Sequence, residues 1–343
     1  MTAAAYRRLR IGPLSLRFHA SRTARCAGLA LLLLVLALAA LATGSGEAGL
    51  ADALAFLIRP AEAAHSIIGN LRAPRIAMAL ACGAMLGLSG AALQTATRNG
   101  LADPGLLGVR EGASLAVITL MLAYPGAPLV LRPLAGMAGG LAVALVAMAI
   151  ARSLSRMRFI LVGIGLSWFL SAVIAMILVT ADIDSVQAAM IWMAGSLSGT
   201  QPDMLPLAYG CLALGGGLLV LTMRAAEASL FGETAAIGLG VHVLSLRLAT
   251  IAAAVLMTAA AVSCAGSLGF VGLLAPHLAR FLIGGGQATL IAGSATLGAG
   301  LVLLADTIGR TLFAPVQIPA GIVLSVLGVA LLFVLLWQRR NQI

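Results

Sequence analysis

Along most of this chain, apolar residues run in long unbroken blocks and do not alternate with polar ones. "AGLALLLLVLALAALA" (27–42) opens the series, and "AMALACGAMLGLSGAALQ" (77–94) continues it. A helix needs about 20 apolar residues to cross the hydrocarbon of a bilayer. With Arg, Pro, Gly and acidic clusters as punctuation, the pattern predicts about ten spanning helices. They fall at 27–44, 76–95, 106–124, 133–151, 159–180, 204–223, 248–268, 272–284, 289–310 and 319–337. The eighth is short for a span. The expected fold is therefore all-α and polytopic, with a single membrane domain over 27–337.

Composition agrees. Of 343 residues, 61% are hydrophobic and only 9% charged, whereas a soluble domain averages about 25% charged. Such a chain cannot clothe itself in a water-facing surface.

The formal charge of +10 does not point to nucleic acid, because its distribution follows the membrane. With the N-terminus inside, most arginines fall in cytoplasmic segments, and Arg59, Arg72, Arg75, Arg132 and Arg310 remain outside. Glu47, Asp52, Glu62, Asp182, Asp184 and Asp203 gather on the outer side. This is the positive-inside pattern with both ends cytoplasmic. It makes residues 1–26 a basic inner tail and 338–343 a second one, with an inner segment at 224–247. The arginines before residue 27 outline a secretory signal, but "ALATGSGEA" is a weak cleavage site, which favours an uncleaved first span.

All 21 basic residues are arginine. Without lysine there is no P-loop to hold ATP phosphates and no Schiff base. Cys26, Cys82, Cys211 and Cys264 show no paired spacing, and His19, His65, His242 and His277 have no acidic neighbour at ligand spacing. Neither a zinc site nor a disulfide framework is expected. Nor is an intramembrane enzyme, which needs a nucleophile and base on facing helices. The membrane-embedded acids are Asp103, Glu111 and Asp306, and of these Asp103 and Asp306 keep an ion-coupled secondary transporter open as an alternative.

Glycine, 40 residues, recurs at four-residue spacing, as at Gly83 and Gly87, which permits close helix contact. Segments 89–108 and 265–284 echo each other weakly and suggest an inverted repeat. In "GSLGFVGLLAPHLARFLIGGG" (266–286) a proline, an imidazole and a guanidinium interrupt an otherwise apolar run. Long cations such as Arg72, Arg75 and Arg310 at helix ends ordinarily anchor a helix at the interface.

Several motifs, in order, resemble the FecCD-type permease subunits of ABC importers for iron chelates, haem and vitamin B12. They are "NLRAPRIAMALACGAMLGLSGAALQTATRNGLADPGLLGVREGASL" (70–115), "IWMAGSLSG" (191–199), "FGETAAIGLGV" (231–241), "GSLGFVGLLAPHLARFLIGG" (266–285), "LLADTIGR" (303–310) and "QIPAGIVLSVLG" (317–328).

The resemblance implies ten helices per subunit in the bacterial inner membrane, in the type II importer permease fold. A second permease subunit, homo- or heterodimeric, would pair with it. Two cytoplasmic ATPase subunits would carry ATP and Mg, and a periplasmic or lipid-anchored binding protein would deliver the ligand. No cofactor or metal is implied on this chain. Arg72, Arg75 and Arg310 match the arginines that meet acidic residues of the binding protein. Phe231, Gly232, Glu233, Ala236, Leu239 and Gly240 match the coupling helix that seats in the ATPase. Gln94, Arg98, Asn99, Asp103, Pro104, Gly108, Pro276, His277, Arg280, Asp306, Pro319 and Gly321 match structural and gating signatures. In that reading Pro276 breaks one helix near the start of another, and His277 makes a polar contact between helices. The chain departs from the family at Gly100, where proline is usual, at Gln317, where an acid is usual, and at Ala320. It departs again at Gly328-Val329-Ala330, where Gly-x-Pro is usual.

Overall fold

A computed structural model of the chain describes residues 6–11, 14–44, 49–58, 67–151 and 156–339. A short antiparallel hairpin comes first, β1 (Tyr6–Ile11) and β2 (Leu14–His19), with Tyr6 opposite His19 and Ile11 opposite Leu14. Everything after it is helical among the described residues. The helices are α1 (Ala20–Ala42), α2 (Leu50–Ile58), α3 (Ala73–Thr97), α4 (Val109–Ala123), α5 (Leu131–Ala151), α6 (Arg156–Thr180) and α7 (Ile183–Met193). Beyond them come α8 (Leu205–Ser229), α9 (Glu233–Gly238), α10 (Val243–Ala265), α11 (Val271–Leu282), α12 (Gln287–Thr311) and α13 (Ala320–Arg339). A π turn (Ile68–Arg72) leads into α3, and 3-10 turns at Pro104–Leu107 and Pro202–Met204 lead towards α4 and α8.

Each predicted span has a helix. Seven described helices are long and apolar enough to cross a membrane, while Val271–Leu282 and Ala320–Val334 are apolar but shorter. The hairpin was not expected: residues 1–26 read as a basic tail, and α1 begins at Ala20, ahead of Ala27. The alternation in "LSLRFH" is a strand signal, concealed among the arginines. The tail's residues 1–5 and 12–13 lie outside the described residues, as do 340–343 of the second tail. Arg59, Glu47, Glu62 and His65 lie outside them too. Two outer helices, α2 and α7, are too short to register as spans. Asp182 caps α7, accepting a hydrogen bond from the Ser185 N–H at 3.0 Å, which holds its carboxyl below the ordinary value.

The centre of the fold is α3. Of its apolar window 89% is buried, against 11% for α1 and 17% for α6. It lies among α12, α10, α11 and α8. Glycines make this proximity possible. A Cβ at Gly83 would collide with the carbonyl oxygen of Gly298, one at Gly87 with that of Ser294, and one at Gly90 with that of Gly272. Backbone therefore rests on backbone, as expected where lipid offers no hydrophobic force to drive helices together. Ser89 adds a polar tie: its hydroxyl donates to the Ala254 carbonyl at 3.1 Å and accepts from Thr258 Oγ1 at 3.0 Å.

Pro276 does not break a helix. It stands inside α11, which continues from Val271 to Leu282. The chain instead bends before it, at Gly266 (φ +72°) and Phe270 (φ +65°). Proline leaves the carbonyl four residues back without its helical donor, and that carbonyl, Gly272 O, receives Gln94 Nε2 at 3.4 Å. At the C-terminus, where a Gly-x-Pro turn is usual in the resembled family, α13 passes through Gly328-Val329-Ala330 unbroken.

Gly298→Ala should destabilise the protein by about 1–3 kcal/mol through overpacking, read by denaturant unfolding in detergent. Gly165→Ala, where an added Cβ meets nothing within 4 Å, should be neutral or slightly stabilising.

Candidate functional site

The polar side chains gather at the two ends of α3. At its N-terminal end, which the sequence reading puts on the outer side, Arg75 grips Asp306 of α12 through Nε, 3.0 Å from each carboxylate oxygen, and through Nη2, 2.8 Å from Oδ1. Its Nη1 donates to Gln317 Oε1 at 2.9 Å. Gln317 thus fills the place of the usual acid with a neutral acceptor. Arg310 Nε lies 3.6 Å from Asp306 Oδ2, while Nη1 and Nη2 donate to the carbonyls of Thr43 and Ala40 at 3.0 and 2.6 Å. Arg72 Nη1 donates to the Leu41 carbonyl at 2.8 Å. Those carbonyls end α1, where orphaned acceptors and the negative end of the helix dipole welcome cations.

Arg72 and Arg310 are only 5% and 6% exposed. They are buried inside the protein and do not snorkel at its rim. With Arg75 and Gln317 they border an outer cleft of about 210 Å³ that Ser198 and Thr200 complete.

Towards the inner end, Gln94 joins α3 to α11. Its amide donates to the Gly272 and Leu273 carbonyls, and its Oε1 accepts from Arg280 Nη1 at 2.5 Å. Arg98, in the left-handed region at φ +50°, donates to the Ser229 carbonyl at the end of α8. Asn99 Oδ1 accepts from the Leu101 N–H at 2.9 Å. Asp103 Oδ1 accepts from the Gly105 N–H at 2.8 Å and caps the 3-10 turn that Pro104 opens. Pro104 seats on Gly272 of α11, and Gly108 (φ +74°) passes the chain into α4. The His277 ring lies against Gly100, where an added Cβ would stand 3.5 Å from Cε1. Pro319 and Gly321 belong to the outer group: the Gly321 N–H donates to the Gly195 carbonyl at 2.9 Å, locking the start of α13 to the end of α7.

Between α8 and α10, α9 is a single exposed turn and a half set between Gly232 (φ +113°) and Gly240 (φ +82°). Glu233 pairs with Arg247 of α10 at 2.8 Å. Ala236 is fully buried, while Phe231, Ile237 and Leu239 are 79%, 64% and 68% exposed. The short helix is thereby tied to α10, and three large apolar side chains stay exposed, Ile237 within it and Phe231 and Leu239 flanking it. Among the described residues no three His, Cys, Asp or Glu side chains converge as a metal-holding group.

The FecCD transport family model matches residues 32–338. The chain belongs to that family. It is 36% identical over 279 residues to the Fe(3+)-citrate import system permease protein YfmE of Bacillus subtilis (strain 168), covering 80% of this chain and 84% of that protein. It is 37% identical over 285 residues to the achromobactin transport system permease protein CbrC of Dickeya dadantii (strain 3937), covering 82% and 81%. A solved metal-chelate type ABC transporter in an inward-facing conformation superposes with a TM-score of 0.82 at 27% identity, covering 92% of this chain and 99% of that one.

In this FecCD chain the predicted residues fall into an outer group, an inner signature and α9. No local signal in the sequence announces that Arg72 and Arg310 cap α1. The tie joins residues far apart in the chain, and its acceptors are backbone carbonyls.

Asp306→Asn should destabilise the protein by about 3–5 kcal/mol, since Arg75 and Arg310 lose their buried counter-charge. Gln317→Ala, at the exposed rim, should cost under about 1 kcal/mol. Equal effects of the two in unfolding experiments would contradict the geometry.

Proposed function

We propose that this chain is the transmembrane permease subunit of an ATP-binding-cassette importer that moves an iron chelate from periplasm to cytoplasm. Haem and cobalamin are narrower variants of the same reading. Family membership over nearly the whole chain supports the class. The observation that carries the mechanism is α9, a short buttressed helix displaying Phe231, Ile237 and Leu239 to water. An apolar helical face of this kind suits a groove on a partner protein, here each of two ATPase subunits that bind ATP and Mg. Their closure would push α9 and, through Arg247 and α10, tilt the bundle in alternating access.

The reading includes a second permease subunit, ten membrane crossings with an inverted repeat, and both termini in the cytoplasm. It also includes a binding protein that docks outside. The outer cleft bordered by Arg72, Arg75 and Arg310 would receive an acidic side chain of that protein, as the arginines matched by the family resemblance imply. Docking at such a rim should weaken with salt. Ion-coupled secondary transport is disfavoured at Asp306, whose carboxylate is already held by two arginines.

The test is uptake into proteoliposomes holding this chain, its permease partner and ATPase, with ATP inside and binding protein outside. Radiolabelled ferric citrate, a ferric hydroxamate, haem and cobalamin are the probes. One ligand should accumulate only with ATP, and Ile237→Asp with Leu239→Asp should reduce that uptake at least tenfold by detaching the ATPase. Uptake driven by an ion gradient without ATP would overturn the reading.

A further inference from the structure

A second polar constellation adjoins the group at the C-terminal end of α3 through Asp103 and lies between the first turn of α4 and the middle of α6. Arg110 donates to Glu111 Oε1 through Nε at 2.9 Å and Nη2 at 2.8 Å. Glu111 is 7% exposed, and its second oxygen, Oε2, is buried with no hydrogen-bond partner among the described residues. The two side chains line a cleft of about 370 Å³ with Asp103, Ser167, Trp168 and Ser171. That volume falls within the usual range for ligand sites, about 300–1,000 Å³.

Small residues set the depth of this cleft. A Cβ at Gly163 would strike the Leu106 carbonyl, and one at Gly112 would come hard against Val143 and the Gly139 carbonyl. The 3-10 turn and the start of α4 are therefore pressed into α6 and α5 well inside the bundle. Ser167 stands about 16 Å along α6 from its first residue, Arg156, at 1.5 Å per residue. The hydrocarbon is about 30 Å thick, so the charged pair sits near mid-membrane on the orientation proposed above.

A guanidinium 40% exposed at that depth is costly against lipid. Intramembrane ions face protein or a water-filled cavity. The surroundings are otherwise apolar, and α6 leaves Trp168 and Phe169 uncovered. The polar groups also offer both kinds of hydrogen bond. Arg110 Nη1 donates, Glu111 Oε2 accepts, and Ser167, whose proton goes to the Gly163 carbonyl at 3.0 Å, keeps its lone pairs.

We propose that this cleft is a mid-membrane contact for the cargo, an oxygen-rich metal chelate carrying both hydrogen-bond acceptors and donors. The inference rests on the import reading. Arg110, aimed by Glu111, meets oxygen atoms of the chelate, Glu111 Oε2 accepts a hydrogen bond from one of its hydroxyl or amide groups, and Trp168 walls one side. Asp103 and Glu111 together outweigh the single guanidinium, which keeps an anionic chelate from being trapped and lets the contact break as fast as it forms.

Two measurements on the complete transporter in proteoliposomes test it. In a Cys26→Ser background, Ser171→Cys should react with a charged, membrane-impermeant thiol reagent, because the cleft holds water. A thiol inert to that reagent yet reactive to a lipid-soluble one would overturn the proposal. Uptake of iron supplied as ferric citrate or a ferric hydroxamate should fall at least tenfold per ATP hydrolysed in Arg110→Gln and Glu111→Gln, with ATPase activity retained. The exchanged pair, Arg110→Glu with Glu111→Arg, should restore thermal stability but not uptake. Restored uptake in the exchanged pair, or unchanged uptake in the single variants, would show a merely structural ion pair. Absence of ATP-driven uptake in the wild type would instead sink the import reading, while the thiol result would still report whether the cleft is wet.

Discussion

The fold depends on backbone-to-backbone contact along α3. Lipid tails are as apolar as leucine, so burying leucine between helices gains little in a bilayer, and association must come from close packing. Gly83, Gly87 and Gly90 let α3 touch α12 and α11 with no side chain between them, while Ser89 and Thr258 tie it to α10. The helix spans the full thickness and carries a polar group at each end. Arg75 fixes the outer end to α12, and Gln94 fixes the inner part to α11. Both groups depend on the glycine contacts for their spacing.

Charge placement follows from the same constraint. A lone ion within the protein would be destabilising, so Asp306 lies between two arginines, and two of the outer cations spend their remaining donors on the open end of α1. The Gln94 side chain takes up the carbonyl that Pro276 frees and also receives Arg280. Most of these donors and acceptors are satisfied within the protein, while Arg310 Nε, 3.6 Å from Asp306 Oδ2, makes no hydrogen bond among the described residues. Arg110 and Glu111 are different, since one carboxylate oxygen stays unsatisfied beside an open cleft.

Much of this was legible in the sequence. Block hydrophobicity placed a helix at each predicted span, because spanning length is a one-dimensional property. The glycine spacing foretold close contact, and the ordered motifs identified the family. Other features depend on tertiary geometry and have no local signal. Arg72 and Arg310 read as rim arginines, yet they turn inward to acceptors that belong to the backbone of α1. Pro276 read as a helix breaker, yet a glutamine from another helix compensates for it. The hairpin at Tyr6–His19 was concealed by arginines that make any short segment look like a tail. Glu111 was visible as an intramembrane acid, but its pairing with the adjacent Arg110 and its open oxygen emerge only when α6 is folded against them.

The tie of α3 to α10 through Ser89 and Thr258 predicts that the two helices stay together as one body in the proposed transport cycle. Thr258 Oγ1 and Ser89 Oγ lie 3.0 Å apart, close enough for a disulfide between Ser89→Cys and Thr258→Cys to form with little adjustment. The decisive measurement is ATP-driven uptake by this double variant in proteoliposomes, before and after oxidation. The account predicts the same rate in both states, because the bond joins parts that do not separate. Uptake lost on oxidation and regained on reduction would contradict it, and would place the moving boundary of the transporter through its tightest contact.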